Sequence, residues 1–219
     1  EIGVPFSDPM AEGSVIQRSH ERALSSDITF SKILSLVKEL RIHNQDKPIV
    51  LMGYMNNFLS QGENLFKKIK KAGVDGLIIV DLPYEESEFF YNKLKDIDLD
   101  LIRLISPTTP KKTIEKIVKF SSGFLYYVSF RGVTGAKLSN FKEVQDKVKY
   151  IKSKTKIPVV VGFGIKEGEI AQKMSKISDG VVVGSRLIDI IQQKNFRLND
   201  SLKFLEKSLK TFKRDVRKK

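Results

Sequence analysis

Three carboxylates stand close together on one short Pro- and Gly-rich stretch, Glu1-Ile-Gly-Val-Pro-Phe-Ser-Asp8-Pro-Met-Ala-Glu12-Gly13. The apolar residues Ile2 to Phe6 read as the end of a buried strand, with Glu1 as a strand-end charge. Pro5 and Pro9 keep a helix from starting before Gly13. A carboxylate at a strand end, with a second on the following loop, suits acid/base chemistry. One group can hold or deliver a proton while the other takes one up on the far side of a small substrate. A lone loop carboxylate is usually no more than a solvated charge; the rest of the chain lifts Glu1 and Glu12 above that reading. Composition closes off other chemistries. With no Cys there is no disulfide, thiolate metal site or Cys nucleophile, and His20 and His43 are too few for a His-based metal cluster. Each His reads as a helix-surface residue, and no metal is expected.

What must position these carboxylates is a repeated strand-then-helix unit. Short apolar runs lie at Ile49–Met52, Leu77–Val80, Leu99–Ile105, Phe124–Val128, Val159–Val161 and Val181–Val183. Their consecutive aliphatic residues suit strands buried on both faces of a parallel sheet. Between them, amphipathic patterns predict helices at Gly62–Ala72, Glu85–Asp96, Pro110–Phe120, Phe141–Ser153 and Gly168–Ser178. Pro110 suits a first helical turn after Thr109, and Asn140 can cap the helix from Phe141. A strand spacing of roughly 23 to 34 residues is that of one βα unit.

No composition break marks a second domain, so residues 1–219 are expected to form a single α/β domain. An open doubly wound sheet and a (β/α)8 barrel both fit repeated βα units. The glycines favour the barrel. Gly162-Phe163-Gly164 and Gly184-Ser185 follow late strands, where a barrel builds its phosphate site. No G-x-G-x-x-G follows a first strand, as a dinucleotide-binding sheet requires. Counting strands gives a TIM barrel lacking its first unit and most of strand 2, a missing N-terminal piece on the order of 45–50 residues.

The chain has 219 residues, 41% hydrophobic and 30% charged, enough for one large globular core. No apolar run approaches the roughly 20 residues of a transmembrane helix. A net charge of +13 raises nucleic acid as a partner, but the lysines recur singly or in pairs along helix faces. Examples are Leu65-Phe-Lys-Lys-Ile-Lys-Lys-Ala72 and Lys142-Glu-Val-Gln-Asp-Lys-Val-Lys149, without interleaved aromatic stacking platforms. Only Lys213-Arg-Asp-Val-Arg-Lys-Lys219 is a basic cluster, and it reads as a solvated tail. A cytoplasmic or plastid-stroma enzyme without a metal is the expected class.

With these residues assembled, the chain resembles the tryptophan synthase alpha subunit family along its whole length. The Glu1–Gly13 block is similar to that family's signature. Further blocks follow in the family's order: Leu51-Met-Gly-Tyr54-Met-Asn56, Val80-Asp81-Leu-Pro83, Gly132-Val-Thr134-Gly135-Ala, Gly162-Phe163-Gly164-Ile and Gly180-Val-Val-Val-Gly184-Ser185. The resemblance implies a carbon–carbon lyase that splits indole-3-glycerol phosphate into indole and glyceraldehyde 3-phosphate. Glu1 then matches the catalytic glutamate, and Glu12 the second catalytic carboxylate, where most relatives have Asp. Tyr126 matches a tyrosine beside them. Gly135, Gly164, Gly184 and Ser185 match the phosphate-binding backbone, and Ile16, Met52, Ile78, Thr134 and Phe163 the pocket. Ser129–Ala136 resembles a loop that closes over substrate, with Thr134 hydrogen-bonding Asp8. Asp8 and Pro9, with Tyr54 and Asn56, match the region of loop closure and partner contact. Arg186 stands where relatives usually carry a small residue, as a phosphate contact or a surface helix arginine. The resemblance implies no cofactor in this subunit. Its partner is a pyridoxal-phosphate beta subunit in an alpha2-beta2 assembly, which receives the indole.

The Asp-to-Glu difference at Glu12 keeps a second expectation open: a catalytically weakened subunit that mainly activates the beta subunit. A generic phosphate-binding barrel, such as a sugar-phosphate isomerase, accounts for the glycines but leaves the Glu1–Gly13 block unexplained.

Overall fold

Consecutive aliphatic residues do form the strands, and the computed structural model describes residues 1–62, 64–129, 141–162 and 168–193. Internal packing gathers them into two units. The first holds Glu1–Leu104 with Lys111–Phe124, the second Ile105–Pro110 with the described residues from Leu125 on.

In the first unit the order is β1 (Ile2–Gly3), α1 (Ser14–Ser25), α2 (Phe30–His43), β2 (Val50–Gly53), α3 (Met55–Leu59) and α4 (Leu65–Ala72). Then come β3 (Gly76–Ile79), α5 (Ser87–Lys95), β4 (Asp100–Ile105) and α6 (Lys111–Lys119). The strands pair in parallel and in sequence: Ile2 with Leu51, Leu51 with Leu77, Leu77 with Leu101. Side chains alternate across a strand. Leu51, Leu77 and Leu101 therefore share one face, where they pack with Ile33, Val37, Phe58, Ile69, Phe90 and Leu94 of the helices. The opposite face carries the in-register row Gly3, Met52, Ile78 and Ile102.

The expected strands are found within one or two residues. The largest difference is at the first. β1 ends at Gly3, one pair after it begins, although the Val4 N–H still donates to Met52 O at 2.8 Å. Pro5 has no N–H to continue the ladder. Helix α1 begins at Ser14 behind Gly13, as the two prolines require. α2 starts from Thr29, whose hydroxyl accepts the Lys32 N–H at 3.3 Å. The helices α1, α2 and α3 lie outside the segments in which amphipathic patterns predict helices.

Arg41 near the end of α2 is the principal clamp of this unit. Its guanidinium donates to Gly73 O at 2.6 Å, Lys47 O at 2.6 Å and Asn44 O at 3.1 Å, and to the Asp75 carboxylate. Asp75 in turn accepts the Ile49 N–H at 2.6 Å, locking the entry of β2. Gly73 ends α4 at φ +101°, a left-handed conformation that only glycine adopts without strain.

In the second unit β5 (Leu125–Val128), α7 (Phe141–Lys152), β6 (Val159–Gly162), α8 (Gly168–Ser175), β7 (Gly180–Val181) and α9 (Ser185–Gln193) alternate. β5 pairs with β6, and β6 with β7, all parallel. Asp179 ties them: its carboxylate accepts the Val159 N–H at 2.8 Å and Lys152 Nζ at 2.5 Å. Asn140, expected as a cap for α7, lies outside the described residues.

Candidate active site

The acidic loop between β1 and α1 is held by side chains from the helices around it. Asn57 of α3 donates through Nδ2 to Pro5 O at 3.0 Å, and its Oδ1 accepts the Tyr54 N–H at 2.9 Å. The Phe6 ring stacks on Tyr54 with centroids 4.8 Å apart and planes 24° from parallel. Gln17 of α1 reaches Pro9 O at 3.2 Å. The Tyr54 hydroxyl closes the loop: it accepts the Ala11 N–H at 2.9 Å and donates to the Glu12 carboxylate. Tyr54 is only 2% exposed, and its phenol is held well above its ordinary pKa, first by burial and then by the bond to Glu12. A phenol kept protonated is a permanent donor, so Glu12 has a fixed hydrogen-bond partner.

Glu1 has different surroundings. The residue as a whole is exposed, yet burial around its carboxyl raises that group above its ordinary value of 4.5. By strand alternation it shares a face with Gly3, in the row continued by Met52 and Ile78. Ile78 is fully buried and Met52 half-buried, giving the apolar surface expected beside an aromatic substrate. Two carboxyl groups in unlike environments are the arrangement that separates an acid/base role from an electrostatic one.

Supporting contacts continue outward. Asp81, after β3, accepts the Met55 N–H at the start of α3 at 2.6 Å. Arg103 on β4 is buried and donates to Leu82 O at 2.6 Å, while its Nε has no partner among the described residues. Desolvation brings its pKa down to about 10.

In the second unit Tyr126 on β5 is 7% exposed, and its ring lies directly over Gly162 on β6. A Cβ at Gly162 would stand 2.4 Å from Cε2 and from Oη of that ring, so glycine is what lets the tyrosine occupy its place. Tyr127 points to the other face, its phenol pushed up to about 12 by burial first and the Glu143 charge second. Gly184 opens α9 by accepting the Leu187 N–H at 2.9 Å, and Ser185 is the helix's first residue. A Cβ at Gly184 would meet nothing within 4 Å among the described residues. Arg186 follows in the first turn, half-buried.

The sequence of the chain is as telling as this geometry. The family profile described as tryptophan synthase alpha chain matches residues 1–217. The tryptophan synthase alpha chain of Janthinobacterium sp. (strain Marseille) is 48% identical over 193 residues, 88% of this chain and 73% of that one. The chain belongs to the tryptophan synthase alpha chain family.

The tryptophan synthase alpha chain of Hydrogenovibrio crunogenus is 43% identical over 194 residues, again 88% of this chain and 71% of that one. Among solved structures, tryptophan synthase subunit alpha from Legionella pneumophila superposes with a TM-score of 0.87 at 36% identity, covering 98% of this chain and 79% of that one. A chain from a Pyrococcus furiosus structure, described as the mutual activation of the tryptophan synthase a2b2 complex, gives 0.86 at 35% identity, covering 96% and 84%. The fold class is therefore the α/β, (β/α)8-barrel class of the tryptophan synthase alpha chain family.

Of the residues singled out in the sequence, the structure brings Glu12 and Tyr54 into direct contact. It sets Met52 and Ile78 side by side in register and Ile16 half-buried on α1. Tyr54, expected to face a partner, is buried in the loop's anchor, whereas Asn56 beside it is exposed. Asp8 is exposed and accepts Ser7 Oγ at 2.5 Å; Pro9 is half-buried. Thr134, Gly135, Phe163 and Gly164 lie outside the described residues. Sequence reading missed the anchoring roles of Asn57, Asp81 and His20. For His20 a signal existed: residues 12, 16 and 20 recur every four positions, placing His20 on the face of α1 that carries Ile16.

Proposed function

We propose that this chain is the lyase component of a tryptophan synthase, releasing indole and glyceraldehyde 3-phosphate from indole-3-glycerol phosphate. The observation that carries the reading is the acidic segment, in which Tyr54 grips Glu12 and burial raises the Glu1 carboxyl pKa. A carboxyl group whose hold on its proton is strengthened by burial is suited to deliver that proton to indole C3. Protonation there breaks the pyrrole conjugation and leaves a C=N⁺ bond at the ring nitrogen as electron sink. The hydroxyl on the side-chain carbon of the scissile bond then loses its proton to the Glu1 carboxylate. Its O–H electrons form the aldehyde C=O as the C–C bond electrons restore the indole. One proton is given and one taken back. Glu12, oriented by Tyr54, faces the ring N–H and stabilises its positive charge. Tyr126 contacts the glycerol chain.

The phosphate is bound by Gly184 and Ser185 at the α9 N-terminus, with Gly135 and Gly164. Met52, Ile78, Ile16 and Phe163 flank the indole, and Thr134 meets Asp8 when its loop closes. Asp8, Pro9 and Asn56 lie toward the partner, a beta subunit that carries the pyridoxal phosphate and consumes the indole. No helix among the described residues is long and apolar enough to cross a membrane.

The test is indole release by the complete chain, alone and with a beta subunit, in wild type and Glu1→Gln. Release that rises with the partner and is abolished in E1Q, with substrate binding retained, is the expected result. Unchanged turnover in E1Q sinks the mechanism.

A further inference from the structure

His20 is half-buried on α1, and its Nδ1 accepts the backbone N–H of Phe6 at 2.9 Å. An imidazole nitrogen accepts only while it carries no proton, so this contact fixes the neutral ring with its hydrogen on Nε2. Burial, acting first, lowers the His20 pKa and favours that neutral form, against the Glu12 charge, which pulls the other way. Phe6 is thereby held at two points: its amide on His20, its ring on Tyr54. Tyr54 in turn holds Ala11 and the Glu12 carboxylate. Without an acceptor the partly buried Phe6 N–H has to move toward water, because a buried amide without a partner is strongly disfavoured. Any such movement is transmitted to the stacked ring and from there to the Glu12 anchor.

We propose that His20 is a positioning residue of the lyase site: by accepting the Phe6 N–H it holds the acidic loop in the form that sets Glu12 against Tyr54. The proposal rests on the lyase reading above. It does not make His20 a catalytic group, since it acts through the loop backbone.

The decisive comparison is between H20N and H20F in the complete chain with its beta subunit. Asn carries Oδ1 at the same bond distance from Cβ as Nδ1 of His; Phe keeps a ring but offers no acceptor. In H20F, kcat is expected to fall roughly 10- to 100-fold with KM within about threefold of wild type. H20N should recover most of that loss. Hydrogen exchange at the Phe6 amide should accelerate in H20F and stay slow in H20N. If H20F folds poorly, H20L replaces it; it likewise offers no acceptor, and the same loss is expected. Wild-type kcat in the acceptor-free variant, unchanged Phe6 exchange, or equal damage in H20N overturns the proposal. E1Q runs alongside as a separate check. If E1Q keeps full turnover, the lyase reading fails, while Phe6 exchange still reports on the His20 contact.

Discussion

Replacing Gly162 by Ala tests the placement of Tyr126 with a single methyl group. The new Cβ would stand 2.4 Å from both Cε2 and Oη of the tyrosine ring. Carbon–carbon contact requires about 3.5 Å, so the ring must retreat by about 1.1 Å. Gly162 is not among the glycines with positive φ, so the backbone itself accepts alanine, and the three atoms nearest the new Cβ all belong to the Tyr126 ring. Overpacking of this kind destabilises a core by about 1–3 kcal/mol. On the lyase proposal, in which Tyr126 contacts the substrate, a displacement of about 1 Å there lowers kcat/KM on the order of a hundredfold. The assay is indole release with the beta subunit present, read with Tm for G162A, Y126A and the double variant. Y126A removes the obstacle, so G162A should cost almost nothing in that background. Y126F keeps Cε2 in place and should relieve little. If G162A keeps wild-type kcat/KM, or lowers Tm equally with and without the Tyr126 ring, Tyr126 does not sit where this geometry places it.

Other perturbations probe the two units separately. Tyr54→Phe removes both the donor to Glu12 and the acceptor of Ala11; because a hydrogen bond to a charged group contributes about 1.5–3 kcal/mol, kcat should drop tenfold or more. Steady-state assays check this, and a Y54F enzyme of wild-type kcat would show that Glu12 needs no anchor. Arg41→Ala frees Gly73 O, Lys47 O and the Asp75 carboxylate together and should lower urea stability by about 2 kcal/mol, with R41K recovering only part for want of a planar fork. In the second unit burial pushes the Asp179 carboxyl upward, but Lys152 and the Val159 amide outweigh it and the net pKa is below its ordinary 3.8. A lowered carboxyl pKa in the fold adds stability that is present above 3.8 and is lost as pH falls through the folded value. The gap in Tm between wild type and D179N should therefore be full at neutral pH and shrink below pH 4; a gap that does not change with pH would contradict the assignment.

The strands were legible because parallel strands buried on both faces leave an uninterrupted aliphatic signature. Gly76–Ile79 and Val159–Gly162 follow the expected runs within a residue or so. The helices α4, α5, α6, α7 and α8 were legible for the matching reason, since each buries one face on a sheet and leaves lysines on the other. The length of β1 was not legible. Ile2 to Phe6 has strand chemistry throughout, and only the missing N–H of Pro5, set against a partner strand the sequence does not identify, cuts the ladder short.

The types of the site residues were legible, but not the contacts that make them a site. Glu12 and Tyr54 are 42 positions apart and Asn57 and Pro5 are 52 apart. Neither spacing has a local period, so each pairing exists only because β1 and β2 lie side by side in register. The same registration turns Tyr54 inward, although the family resemblance implies a residue that faces the partner. Register also bears on Glu12 itself. Its extra methylene relative to Asp lengthens the reach of the carboxylate, and a longer acid is less well placed unless something holds its end. Tyr54 does so from the turn between β2 and α3, with Phe6 stacked on it and His20 holding Phe6. The loop is thus ordered from α1 and α3 rather than by its own prolines and glycines. For that reason substitutions at His20, Tyr54 or Asn57 should register at Glu12 before they register in the strands.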